Sequence, residues 1–207
     1  MTARRVRWMA CLGVLILAVF APACSRGAAL QSAEIATPSL DSYDFGGDFS
    51  LTDQTGQPFH LSQDRGKVVL LFFGYTLCPD VCPTTLSKLT QVYRTLGPAG
   101  ENVVTLFVTV DPDRDTPPAL QEYLKNFDLK VVGLTGRRSA IDAVTTKYKA
   151  SYSIDKSDTA AGYLVSHTTL LYLIDQQGRL RHLFKHTDSS DTIAAVIREA
   201  IAASQAD

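Results

Sequence analysis

The sequence predicts an α/β domain with a central mixed β-sheet flanked by helices. Two apolar runs without helical spacing, residues 68–73 and 103–110, predict strands that are buried on both faces. Between these runs Leu86, Leu89 and Val92 recur at helical spacing and predict a helix. Because strand and helix patterns continue to alternate along the chain, we expect parallel strands in the sheet.

Segments on either side of these elements complete the fold. Alternation around Gly56 predicts an N-terminal β-hairpin, and Thr116 followed by Pro117 predicts the start of a helix. An inserted helix is expected at 139–148, and the polar residues 151–163 are interpreted as an extended surface loop. The other strands and the final helix are predicted at 131–134, 168–175, 179–185 and from 188 onward. This order of elements is typical of a thioredoxin-like fold.

The first residues have the pattern of an export signal. Arg4, Arg5 and Arg7 precede an apolar stretch at 8–20, and a small-residue cleavage site ends at Cys24. This apolar stretch is shorter than the ~20 residues that a bilayer-spanning helix needs. We therefore expect the chain to be exported to the periplasmic side of a bacterial membrane.

The chain is accordingly divided into three parts. Residues 1–24 are interpreted as a signal peptide or membrane anchor, with a lipid anchor at Cys24 as the alternative. Residues 25–47 are interpreted as a flexible tether and 48–207 as the folded domain, which we expect to be a monomer. The net charge is −1 and the only basic cluster lies at the N-terminus, so binding to nucleic acid is not expected.

Cys78 and Cys82 are the only cysteines of the predicted domain, and they lie where a strand gives way to a helix. Cysteines four residues apart on one helical turn can point the same way, and a helix N-terminus favours their thiolates. A stapling disulfide is the structural alternative, but so small a ring stabilises by only about 2 kcal/mol. The pair therefore predicts a redox-active or metal-binding dithiol.

A third ligand is needed for a metal site, and the histidines of the domain are the candidates. His167 ends the predicted polar loop and directly precedes a predicted strand, which places it beside the dithiol in a thioredoxin-like layout; a surface histidine is the alternative. His60, His182 and His186 are expected to face solvent. Two thiolates and an imidazole form a soft ligand set that suits Cu(I), or Cu(II) with an added oxygen ligand, better than zinc, which usually takes four ligands.

The acidic segment 111–117 follows the second buried strand. As a polar connection that ends in a helix cap, it needs no further explanation. The alternative is that Asp111, Asp113, Arg114 and Asp115 position a partner or tune the dithiol. We do not expect any of them to be a metal ligand.

Four separated motifs resemble the Sco/SenC family in order and spacing over about residues 42–203: 74–83, 111–117, 132–136 and 167–175. The resemblance implies a thioredoxin-like, membrane-tethered protein that binds copper through Cys78, Cys82 and His167. It further implies a copper chaperone, rather than an enzyme, for the CuA centre of cytochrome c oxidase subunit II. A periplasmic copper donor is a further implied partner.

Two residues depart from the family pattern beside the implied ligands. Leu77 stands where the family often has histidine, and Ser166 stands where it commonly has aspartate. Neither change removes a ligand, but loss of the carboxylate is expected to alter the orientation and basicity of His167.

The alternative function is that of a thiol-disulfide oxidoreductase. In this interpretation Cys78 and Cys82 form a redox disulfide and reduce the cysteines of the CuA site or of another exported protein. A peroxidase is less well supported, because the residues around Cys78 are only generically thioredoxin-like, and a structural adaptor is the least supported, because it leaves the dithiol unexplained.

Overall fold

The structure is a computed structural model that describes residues 40–159 and 162–203. The predicted export signal and residues 25–39 of the predicted tether lie outside the described residues. Within the described ranges, no helix combines the length and apolar character needed to cross a membrane.

The described residues form nine β-strands. In chain order they are β1 (Ser50–Asp53), β2 (Pro58–His60), β3 (Val68–Gly74), β4 (Val103–Thr109), β5 (Val131–Thr135), β6 (Tyr152–Thr159), β7 (Gly162–His167), β8 (Leu171–Ile174) and β9 (Leu180–Phe184).

Four α-helices accompany the strands in the described residues. They are α1 (Val81–Leu96), α2 (Pro117–Leu124), α3 (Arg138–Lys147) and α4 (Ser190–Ala203). Short 3₁₀-helices at Leu61–Asp64 and Gly97–Asn102 precede β3 and β4. The predicted cap of α2 is present, since the Thr116 hydroxyl accepts a hydrogen bond from the Ala119 backbone N–H.

Seven of the strands form one mixed sheet in the order β2-β1-β5-β4-β3-β8-β9. Strand β4 runs parallel to both β3 and β5, whereas β1 and β8 join this parallel core antiparallel. The N-terminal hairpin therefore extends one edge of the sheet. The predicted thioredoxin-like α/β fold, with its mixed sheet, N-terminal hairpin and inserted helix, is confirmed.

The two faces of the sheet are both covered, as the uninterrupted apolar runs predict. Every residue of β3 and β4 is buried, and successive side chains point to opposite faces. Leu71 and Phe73 enter a core that is shared with α3, while Leu70 and Phe72 enter a core that is shared with α1, α2 and α4. Because both faces of the sheet are packed, side chains that could form a functional site are expected just beyond the carboxyl ends of the parallel strands.

The segment 151–163 differs from the prediction of a surface loop. It contains β6 and the start of β7, which pair with each other as a separate two-stranded antiparallel sheet. Polar residues dominate the sequence here, but Ile154, Tyr163 and Val165 pack against the core at alternate positions. Apolar residues at every second position indicate a strand with one buried face, and this segment contains a few of them. A hairpin with one face in solvent needs apolar side chains on its other face only, so the segment could be mistaken for a polar loop.

The strand predicted at 168–175 also begins later than expected. His167 is the last residue of β7, and β8 starts at Leu171. The Thr168 backbone N–H donates to the Ser151 carbonyl, so local pairing at the base of the hairpin continues past His167. His167 therefore belongs to the hairpin and not to the main sheet.

Residues 40–47, which the sequence assigns to the tether, lie against the domain. The Asp41 N–H donates to the Arg181 carbonyl over 2.8 Å, and the Gly46 N–H donates to the Lys147 carbonyl over 2.9 Å. The Tyr43 and Phe45 side chains pack on the core that contains α3. The described part of the predicted tether is thus held along the surface of the domain.

Candidate metal centre

The turn between β3 and α1 carries both cysteines. Cys78 lies in the turn, where its backbone N–H donates to the Tyr75 carbonyl, and it is half-buried. Cys82 is the second residue of α1 and is fully buried. The spacing of the cysteines predicts that both lie on one helical turn. This prediction is wrong, because the helix begins only at Val81 and Cys78 precedes it.

His167 reaches this turn from the hairpin. Its Nε2 atom lies 3.5 Å from Cys82 Sγ and 3.9 Å from Cys78 Sγ. The imidazole ring meets the rings of Phe72 and Tyr75 edge-on, with centroids 6.0 and 5.8 Å away. These aromatic contacts restrict the ring to an orientation in which Nε2 faces the two sulfurs.

The three donor atoms have the spacing of a metal-ligand set. All three lie within 4.8 Å of one another, and no fourth His, Cys, Asp or Glu joins the group among the described residues. Donors at roughly 2.0–2.3 Å from one ion lie about 3.5–4 Å apart, which matches the distances between Nε2 and the sulfurs. The geometry therefore fits one small, soft ion with three protein ligands.

The other ring nitrogen of His167 has a backbone partner. Its Nδ1 atom lies 3.0 Å from the Thr168 carbonyl oxygen, which can only accept a hydrogen bond. Nδ1 therefore carries the proton, and Nε2 keeps the lone pair that a metal requires. Ser166 is exposed, and neighbouring strand residues point to opposite faces, so the ring is oriented without a carboxylate at position 166.

The two thiols differ sharply in acidity. Hydrogen bonding to the Cys82 thiol lowers the pKa of Cys78 to about 4, and the His167 ring and the backbone N–H groups of Asp80 and Cys82 add to this effect against the opposing effect of burial. The hydrogen bond to Cys78 and burial raise the pKa of Cys82. In the metal-free protein at neutral pH, Cys78 is therefore the thiolate and Cys82 the thiol.

We expect this asymmetry to be visible in the alkylation of Cys78 by iodoacetamide. Since the folded-state pKa is about 4, the rate at Cys78 should be nearly constant between about pH 5 and 8 and fall below about pH 4. Peptide mapping of the reduced protein by mass spectrometry at each pH measures this. A rate that keeps rising towards pH 8.5, as for an ordinary thiol, would show that the thiolate is not stabilised.

The acidic segment after β4 is hydrogen-bonded to the turn that carries the cysteines. Asp115 is fully buried and accepts hydrogen bonds from the Thr76 backbone N–H, the Thr76 hydroxyl and the Thr109 hydroxyl at 3.0, 2.6 and 2.6 Å. Burial raises the pKa of Asp115, and the two threonines act against that rise. The segment thus positions the turn, and Thr76 and Tyr75 are the site residues that sequence reasoning missed, although both directly follow β3.

The remaining candidates lie away from the sulfurs. Leu77 is half exposed and is the one large apolar side chain that faces solvent within 40–155 and 162–203. His60 is exposed, as predicted, and lies 2.6 Å from the Ser50 hydroxyl. The prediction that His182 and His186 face solvent is wrong: the His182 side chain is only 19% exposed because Phe184 and the segment with Asp41 cover it, and His186 is half-buried with a buried Nδ1 atom.

The fold and the cysteine–histidine group together define a thioredoxin-like protein with two cysteines and a histidine that could hold a soft metal ion. The chain belongs to the SCO1/SenC family, which it matches over residues 37–202. It is 41% identical over 146 residues to the SCO2-like protein of Rickettsia felis, covering 70% of this chain and 71% of that protein.

Solved structures agree with this assignment. Bradyrhizobium japonicum ScoI with copper bound has a TM-score of 0.70 at 38% identity, covering 75% of this chain and 99% of that one. BsSco, described as a member of the Sco family of cytochrome c oxidase assembly proteins, has a TM-score of 0.61 at 23% identity and supports the fold, covering 78% of this chain and 96% of that one.

Proposed function

We propose that the protein is a copper chaperone that binds copper through Cys78, Cys82 and His167 and delivers it to the CuA centre of cytochrome c oxidase subunit II. The observation that carries the proposal is the convergence of two sulfurs and Nε2 within 4.8 Å, with no fourth side-chain ligand among the described residues. The similar ScoI has copper bound in its solved structure, which supports copper as the cargo. BsSco is described as a member of a family of cytochrome c oxidase assembly proteins, which supports the oxidase as the acceptor.

The geometry suits transfer as well as binding. The Cys78 sulfur is only half-buried, whereas Cys82 is fully buried, so an incoming thiolate can reach the ion from the Cys78 side. Each incoming ligand can replace one protein ligand in turn, and the ion never needs to enter water. Three ligands leave room for such an exchange, because an added donor raises the coordination number only to four.

A second function, thiol-disulfide reduction, is supported by the acidity of the two cysteines. The Cys78 thiolate would attack a sulfur of the acceptor's disulfide and form a mixed disulfide, releasing the other acceptor sulfur as a thiolate. That thiolate would take the proton of Cys82, and the Cys82 sulfur would then attack Cys78 and displace the second acceptor sulfur. The acceptor gains two electrons, one proton from Cys82 and one from water, and a Cys78–Cys82 disulfide remains.

An anaerobic titration of the reduced protein with Cu(I), in competition with a chromogenic chelator, tests the copper proposal. We expect one equivalent to bind, and Cys78→Ser to abolish tight binding because one thiolate is lost. His60→Ala is the matched control, since its ring is exposed and lies beside Ser50, outside the cysteine–histidine group. Absence of stoichiometric binding by the unaltered protein would contradict the site.

Complementation in cells separates the two functions. A chaperone needs all three ligands, so His167→Ala and Cys78→Ser should both lower the amount of assembled oxidase. If His167→Ala supports full assembly while Cys78→Ser does not, thiol reduction is the function that matters.

Export and tethering remain part of the proposal. The Arg-rich start, the apolar stretch and Cys24 support a location on the periplasmic face, held by an anchor or a lipid. A tether would leave the domain free to reach a membrane-bound acceptor and a periplasmic copper donor.

A further inference from the structure

The position of His167 depends on the β6–β7 hairpin. This hairpin is a two-stranded sheet of its own, and its described residues, 152–159 and 162–167, share no backbone ladder with the seven-stranded sheet. The cysteines, in contrast, follow directly from β3 in the main sheet. Three residues, 168–170, connect His167 to β8 of the main sheet and limit its position, and the contacts that hold the hairpin against the domain determine the remaining freedom of the distance from Nε2 to the sulfurs.

Tyr163 on β7 makes the most extensive of these contacts. Its hydroxyl donates to Asp111 Oδ1 over 2.7 Å, and Asp111 is fully buried at the end of β4. The guanidinium of Arg114 lies 3.6 Å from the centroid of the Tyr163 ring. Arg114 also donates to the Tyr163 carbonyl over 3.0 Å and pairs with Asp111.

The contact is transmitted to His167 along one strand. Tyr163, Val165 and His167 occupy alternate positions of β7, so their side chains share one face. Midway between them the Val165 backbone N–H donates to the Tyr75 hydroxyl over 3.3 Å, and Val165 is 4% exposed. Tyr75 also lies against the His167 ring, so the strand is held to the cysteine turn at two points.

We propose that Tyr163 and Arg114 are positioning residues that hold His167 at ligand distance from the two sulfurs. The inference rests on the proposed copper site and adds residues that touch neither copper nor its ligands. It gives the segment 111–117 a role through Arg114, beyond that of a strand-to-helix connection. Without the clasp of Tyr163, Arg114 and Asp111, the hairpin keeps its own pairing but loses its fixed placement.

A double-mutant cycle tests this inference in the full-length protein. Tyr163→Phe removes only the hydroxyl that binds Asp111 and leaves the ring beneath Arg114. We expect it to weaken Cu(I) binding about tenfold, the effect typical of residues that orient a ligand. In a His167→Ala background the same change should have no effect on Cu(I) affinity, because the ligand that it positions is gone.

Two further variants separate positioning from stability. Tyr93→Phe is the matched control, since it removes a half-buried hydroxyl that bonds Thr105 on the opposite face of the sheet; its Cu(I) affinity should be unchanged. Arg114→Lys keeps the charge but loses the planar stack, and should weaken Cu(I) binding in the same His167-dependent way. The nitrogen coupling in the EPR spectrum of the Cu(II)-loaded protein should weaken in both clasp variants and persist in Tyr93→Phe.

The outcomes are distinct. An equal loss of affinity for Tyr163→Phe with and without His167, or no loss in either background, would overturn the positioning role. If His167→Ala alone leaves Cu(I) affinity unchanged, the three-ligand site itself is refuted, and the inference falls with it. If Tyr163→Phe loses Cu(I) affinity only when His167 is present, and Tyr93→Phe loses none, the result supports both the three-ligand site and the positioning role.

Discussion

Replacing His167 by alanine is expected to lower Cu(I) affinity by more than the ~10–100-fold typical of losing a residue that only orients a ligand. The variant removes the one nitrogen donor, which lies 3.5 and 3.9 Å from the sulfurs. Without the imidazole the ion keeps only the two thiolates, and the binding energy that the third soft ligand supplies is lost. Chelator competition under anaerobic conditions measures the change.

Alkylation of the same variant separates loss of the ligand from loss of the fold. The Cys82 hydrogen bond is the largest cause of the low pKa of Cys78 and His167 is a smaller one, so loss of the imidazole should raise this pKa but leave Cys78 more reactive at pH 6 than an ordinary thiol. His60→Ala again provides a histidine control outside the site. Unchanged Cu(I) affinity in His167→Ala would mean that the imidazole is not a ligand and that copper binds through the cysteine sulfurs, alone or with a ligand from solution.

Replacing Gly74 by alanine is expected to disturb both stability and the metal site. A Cβ atom at the end of β3 would lie 2.7 Å from the Phe107 ring and 2.8 Å from Cys82 Sγ, closer than real contacts allow. Phe107 is fully buried and cannot move aside freely, so overpacking should cost about 1–3 kcal/mol in the free energy of unfolding. Displacement of the Cys82 sulfur should also weaken Cu(I) binding.

Gly136→Ala is the matched control for this substitution. Gly136 directly follows β5, a parallel strand on the other side of β4 from β3, and a Cβ there meets a Leu51 methyl at 3.2 Å, which a small side-chain shift can relieve. Urea unfolding monitored by fluorescence, together with Cu(I) titration, compares the two variants. If Gly74→Ala has the same free energy of unfolding and the same Cu(I) affinity as the unaltered protein, the end of β3 tolerates a side chain beside the Cys82 sulfur and the prediction is wrong.

Much of the fold could be predicted because burial on both faces leaves a strong local signal. The runs that became β3 and β4 are apolar at every position but a few threonines and Gly74, and α1 carries Leu86, Leu89 and Val92 on one side. The β6–β7 hairpin was missed because only one row of its residues is apolar and that row is short. Its stability comes from contacts with distant segments, above all Asp111 and Arg114, which no local pattern records.

The candidate site was predictable in its residue types, since Cys78 and Cys82 are the only cysteines of the domain. The direct contacts around them were not. Tyr75 reads as an ordinary aromatic residue in sequence, yet its hydroxyl accepts from the hairpin while its ring contacts His167. Likewise, the hydrogen bond between His167 Nδ1 and the Thr168 carbonyl could not be predicted from the sequence, and the effect of the missing carboxylate at position 166 stays a prediction.

The sequence by itself determined the α/β class, the dithiol at the junction of strand and helix, and the soft chemistry of two cysteines and a histidine. Only the tertiary structure decided that His167 comes from a separate hairpin, and that Cys78, not Cys82, is the acidic thiol. The physical reason is that ligand distance and acidity depend on burial and on hydrogen bonds between segments far apart in the chain. His167 is 89 residues from Cys78 in sequence, and the contacts that bring them together lie in the strands and turns between.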